Sequence, residues 1–218
     1  MFKDKINFII KILIISDFFI FFALGLLSPI FAVFILDNIQ GSDLEVIGFA
    51  TTFYWLSRII SVIPLSRMMD KMHGEEDEFY FIFIGSILMS AIPVFFIFST
   101  LPWHIYALQI ISGFAHSMAI PAWRILFTNH IDRRLIGYEW SVEDVSVGIA
   151  TAGSAALGAF IAKVYGFNVL FILISILGIL GSCILLFLLK EKKIFIEGIR
   201  RLEKNLKTKT IAKVDTIK

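Results

Sequence analysis

The stretch NVLFILISILGILGSCILLFLL at 168–189 runs 22 residues without a charge. A bilayer's hydrocarbon core, roughly 30 Å thick, is crossed by about 20 apolar residues in a helix rising ~1.5 Å per residue. This segment is therefore long enough to span. Working back toward the N-terminus, five more runs meet the same test, at 12–36, 44–66, 79–99, 103–128 and 141–164, joined by short polar connections. Unpaired amides find no water in a bilayer core, so runs of this length form helices rather than barrel strands. The expected fold class is all-α, a polytopic membrane protein with six transmembrane helices in residues 1–190 and a separate tail at 191–218.

Composition agrees. Of 218 residues, 58% are hydrophobic and only 17% charged, and the mean hydropathy is +0.85, far from the balance of a soluble domain. The first run follows Lys3, Lys5 and Lys11 as a signal peptide would, but it is too long and lacks an A-x-A cleavage site, so it reads as an uncleaved helix. The single cysteine, Cys183, excludes a disulfide framework and a thiolate zinc site. No nucleotide-binding loop, zinc motif, nucleophile elbow or paired-carboxylate site occurs at usable spacing. The sequence therefore implies no enzyme and no cofactor.

Basic residues near helix ends set orientation. With the N-terminus inside, cytoplasmic segments carry Lys3, Lys5, Lys11, Arg67, Lys71, Arg133 and Arg134, whereas the outer loops carry Lys163 beside Asp37, Asp43 and Glu45. Both termini are thus expected in the cytoplasm, with the chain in the inner or plasma membrane. Ser42 with Glu45 and Ser141 with Asp144 fit capping boxes opening the second and fifth spans. Pro29 followed by Asp37-Asn38-Ile39 and Pro121 followed by Asn129-His130-Ile131 repeat at an offset of 92. That offset divides the chain three helices from three, as an inverted repeat does.

Charges at membrane depth cost several kcal/mol unless paired or wet, which makes them functional candidates. Arg58 lies nine residues before Arg67, roughly 14 Å along the second span. Asp17 and Arg124 lie nearer the cytoplasmic ends of the first and fourth spans, either as cavity residues or as a structural ion pair. Residues three, four and seven apart share a helix face. By that rule Asp17, Phe21, Leu24 and Ser28 form one stripe, Thr51, Tyr54, Arg58 and Ser61 a second, and Gln109, Ser112, His116 and Trp123 a third. Ser, Thr and Gln in such stripes also serve plain interhelical bonding, at about 0.6 to 2 kcal/mol each. Trp103 and Trp140 read as interface-belt residues. On the fifth span, Gly148, Ala152, Ser154, Ala156 and Gly158 have the small-residue spacing of close helix packing.

Several motifs resemble those of the major facilitator superfamily, over about residues 10 to 190. The turn Ser66-Arg67-Met68-Met69-Asp70-Lys71-Met72-His73-Gly74 is similar to the superfamily's G-x-x-x-D-[RK]-x-G-[RK]-[RK] loop, with Asp70-Lys71 at its acidic and basic positions. Ser66 stands for the first glycine, and Glu75, Glu76 and Asp77 for the basic end. Gln109-x-x-Ser112-Gly113 before Pro121-Ala122 resembles R-x-x-Q-G and its downstream P-A, with Gln109 where the arginine belongs. Tyr165-Gly166-Phe167-Asn168 resembles the G-[WF]-R-x-x-F turn. The proline of the antiporter signature is absent, since Gly153 takes its place.

The resemblance implies one half, in 3+3 inverted-repeat form, of a secondary transporter that moves a small solute by alternating access, as a homodimer or with a partner half. The alternative is a non-transporting membrane scaffold or degenerate half. Gln109 in place of arginine implies a mechanism other than standard proton coupling, or a charge relocated to Arg58 or Arg124. The substrate-binding residues expected are Asp17, Arg58, Gln109, His116, Arg124, Tyr54 and Trp123, with Asp70, Lys71 and Asp144 at the cytoplasmic gate. Arg58 favours an anionic group on the solute. The tail holds Ile196, Ile199, Leu202 and Leu206 on one face of a basic amphipathic segment. It suits the lipid surface, an interdomain link or a dimer contact better than nucleic acid.

Overall fold

A computed structural model describes residues 6–71 and 75–190. The basic tail, His73 and Gly74 lie outside them. The order is α1 (Phe8–Leu27), a 3-10 turn (Ser28–Ile30), α2 (Phe31–Asn38), α3 (Leu44–Lys71), α4 (Glu75–Phe96), α5 (Pro102–His130), α6 (Ile136–Ile184) and a closing 3-10 turn (Leu185–Lys190). No strand occurs among the described residues. Among the described residues, five helical segments are long and apolar enough to cross a membrane: Phe8–Asn38, Leu44–Lys71, Glu75–Phe96, Pro102–His130 and Ile136–Leu189.

Local chemistry explains the breaks. Asn7 opens α1 by accepting a bond from the Ile9 amide at 3.2 Å. Pro29 lacks an amide hydrogen, and the helix tightens to a 3-10 turn there before resuming as α2. The start of α3 is capped by Asp43, whose Oδ1 accepts from the Val46 amide at 3.0 Å, and not by Ser42, whose hydroxyl turns back to the Leu36 carbonyl at 3.4 Å. An acid accepts more strongly than a hydroxyl at a helix N-terminus. The fifth expected span likewise begins at Ile136 rather than 141, and Ser141 bonds the Gly137 carbonyl inside the helix at 2.7 Å.

The last helical segment is interrupted. Fifty-four residues from Ile136 to Leu189 would make a rod of about 80 Å, far beyond a bilayer core. At Gly166 the backbone leaves the helix with φ 84 and ψ 167, a region essentially reserved to glycine. The leg before Gly166 passes Trp140, 4.5 Å from the Phe127 ring, and reaches Leu26 at Gly158. The leg after it starts with Phe171 edge-on to Phe34 at 4.7 Å. It returns to Gly181, whose carbonyl accepts from Ser16 at 2.9 Å. The two legs thus run past α1 in opposite senses.

Pairing of the elements is reciprocal. α1 packs chiefly on the legs of α6, while α5 packs on α3 and α4. The first helix of each expected repeat therefore lies against the later helices of the other. Between α4 and the second leg, Ser90 and Ser182 place their hydroxyls 3.5 Å apart, 92 residues apart in sequence.

Apolar packing falls into two main clusters. One gathers Ile10, Leu13, Met69, Phe79 and Phe127 near the N-terminal end of α1. The other gathers Leu26, Ile35, Ile105, Leu170 and Phe171 at the opposite end. A smaller set of Ile20, Met89, Ala115 and Ala119 lies between them. On the first leg of α6 the small residues turned inward are Ala150, Ser154 and Gly158. The Gly148, Ala152 and Ala156 register is exposed.

Candidate functional site

Two packed helix seams set the walls of the site. Along α3 and α5, a Cβ on Gly113 would strike the Tyr54 carbonyl, so only glycine lets the two backbones approach this closely. Ser57 donates to the Ile110 carbonyl at 2.7 Å, and Ser117 donates to the Arg58 carbonyl at 3.2 Å. These bonds fix the turn of α3 that carries Tyr54 and Arg58. Along α1 and α6, a Cβ on Gly158 would overlap the Leu26 backbone, which holds that leg against the helix bearing Asp17.

Between the seams lies a cavity of about 400 Å³, walled by α1, α3, α5 and the first leg of α6, with α4 behind. Asp17, Tyr54, Arg58, His116, Trp123 and Arg124 all line it. Six of the seven substrate-binding residues expected from sequence are thereby brought together. Gln109 is not among them. It lies with Ser112, Leu24 and Ser28 around a second cavity of about 240 Å³. Met89 borders both spaces, and its contact with Ile20 and Ala115 belongs to the apolar cluster dividing them.

Arg58 donates from Nη1 to Tyr54 Oη at 3.2 Å, and its guanidinium carbon stands 5.1 Å from the Trp55 ring centroid. His116 bonds the Ser112 carbonyl through Nδ1 at 2.9 Å and meets the Tyr54 ring edge-on at 5.3 Å. Trp123 stacks on Phe127 at 4.6 Å and buries its Nε1–H without an acceptor among the described residues. Among the described residues, Asp17, Arg124 and Arg58 form no ion pair.

Two lining residues were not expected there. Trp140 is a cavity wall 6.0 Å from Trp123. Glu143 also lines the cavity. With the helix running from Ile136, Glu143 and Trp140 lie three residues apart on one face, the face that lines the cavity. Asp70, Lys71 and Asp144 are exposed, the first two at the end of α3 and the third on α6 beyond the cavity lining. No group of three or more His, Cys, Asp and Glu suited to a metal occurs among the described residues.

A membrane bundle that gathers charged side chains around a largely apolar cavity has the architecture of a solute carrier. Residues 13–214 match the model of the Major Facilitator Superfamily, and the chain belongs to that superfamily, whose members are transporters rather than enzymes. No curated protein matches the chain.

Proposed function

We propose that this protein is a secondary transporter that moves a small solute across the cytoplasmic membrane by alternating access. The observation carrying this reading is that charges from four separate helical segments, without ion-pair partners among the described residues, converge on one cavity. Charges at membrane depth without partners persist where water or a solute reaches them. The two legs of α6 are read as separate crossings, giving six in all with both termini cytoplasmic. Rocking needs a second wall, supplied by another copy of this chain or by a partner half. Asp70, Lys71 and Asp144, all exposed, are assigned to its cytoplasmic gate. The second cavity, with Gln109, would then lie on the same route beyond Met89.

The test is access from both faces. Ile120 lines the cavity, and Ile120→Cys in a Cys183→Ser background provides a single reporter in proteoliposomes. Alternating access predicts labelling by a membrane-impermeant maleimide added to either side. Labelling from one side alone, or none, overturns the proposal.

A further inference from the structure

The titratable side chains around the larger cavity are sorted by helix pair. Asp17 comes from α1 and Glu143 from α6, which pack on each other; Arg58 comes from α3, and His116 and Arg124 from α5, which also pack on each other. Asp17 and Glu143 are close enough to act on one another electrostatically, as are Arg58 and His116. No ion pair joins the two signs across the cavity among the described residues.

This separation is costly unless something spans it. Opposite charges free to meet at low dielectric attract strongly, so holding them on facing seams preserves two half-sites. The basic wall also has unused donors. One guanidinium bond of Arg58 goes to Tyr54 and the rest of the fork has no acceptor among the described residues. The Trp123 Nε1–H likewise has none. A carboxylate is the group that a guanidinium fork and an added N–H suit best. The acidic wall of Asp17 and Glu143 suits a primary ammonium. Phe21, Tyr54, Trp123 and Trp140 supply aromatic surface between the two, and a cavity of about 400 Å³ is in the range of small-molecule sites.

From this sorting we infer that the cavity binds a zwitterion: an α-amino-acid-like solute with an apolar or aromatic body, its carboxylate toward Arg58 and Trp123 and its ammonium toward Asp17 and Glu143. This rests on the transporter reading for its purpose but not for its geometry. It narrows the anionic preference suggested by Arg58 alone, because it requires both signs on one molecule.

The test is thermal unfolding of the full chain in detergent with three probes: L-phenylalanine, its amide, which keeps only the positive charge, and N-acetyl-L-phenylalanine, which keeps only the negative. The zwitterion should stabilise at a concentration roughly tenfold or more below either analogue, as expected for losing one charge-assisted contact. Asp17→Asn should abolish the advantage over the acetylated probe, and Arg58→Gln the advantage over the amide. Equal response to a singly charged probe, no response to any probe, or an unaltered preference in both variants overturns the inference. If all three probes fail while a cysteine at position 120 labels from both faces, transport stands and the zwitterion falls. If the zwitterion binds while labelling is one-sided, binding stands and transport falls.

Discussion

The Ser117 hydroxyl on α5 reaches the Arg58 carbonyl on α3 at 3.2 Å, while also lying 3.0 Å from the carbonyl of Gly113 in its own helix. One buried serine therefore ties the backbone beneath the deepest cation of the cavity to the neighbouring helix. Ser117→Ala removes the only side-chain bond to the Arg58 backbone among those described. It should lower stability by about 0.6 to 2 kcal/mol, the range for interhelical bonds in membrane bundles. Thermal unfolding in detergent reads the loss, and an unchanged midpoint would show the seam to be held by packing alone.

Gly113 offers a sharper comparison. Because its Cβ would meet the Tyr54 carbonyl and lie 3.0 Å from Ser57 Cβ, Gly113→Ala must push α3 from α5 at an expected cost of about 1 to 3 kcal/mol for overpacking. Gly148 also sits within a helix, yet nothing lies within 4 Å of its Cβ position. Gly148→Ala should be neutral or stabilising by up to about 1 kcal/mol, through helix propensity. Opposite signs from the same chemical change would confirm that the α3–α5 approach, not glycine content, sets the cavity wall.

Much of the cavity was legible because helical periodicity fixes faces before tertiary structure is known. Asp17 with Phe21, Tyr54 with Arg58, and His116 with Trp123 were each placed on one stripe by spacing, and each pair lines the cavity. Spacing fixes a face but not a depth. Gln109 shares the stripe of His116 two turns away, and Met89 and Ile20 pack at the level between, so it opens to a different space. Glu143 and Trp140 escaped because a serine at 141 resembled a cap, although the helix had already begun at Ile136. The break at Gly166 was anticipated through the resemblance of Tyr165-Gly166-Phe167-Asn168 to a superfamily turn, while its backbone angles could come only from the structure.

That break makes its own prediction. Gly166 has φ 84 and ψ 167 with nothing near its Cβ position, so a side chain there meets backbone strain and not a clash. Gly166→Ala should cost about 1 to 3 kcal/mol, and Gly166→Val at least as much, since the penalty is conformational. Equal midpoints for wild type and Gly166→Ala would mean that the legs of α6 meet through a different turn.

Two buried serines provide the last comparison. Ser16 is fully buried and donates to the Gly181 carbonyl at 2.9 Å, across the contact between α1 and the returning leg of α6. Ser175, on that same leg, is 3% exposed and its hydroxyl has no partner among the described residues. Removing a bonded hydroxyl forfeits the bond and strands its acceptor, whereas removing an unbonded one relieves a desolvation cost of about 1 to 3 kcal/mol. Ser16→Ala should therefore lower the unfolding midpoint, and Ser175→Ala should hold or raise it. If Ser175→Ala destabilises as much as Ser16→Ala, the Ser175 hydroxyl is bonded in the membrane, and a water molecule or a second protein surface must reach that face of the leg.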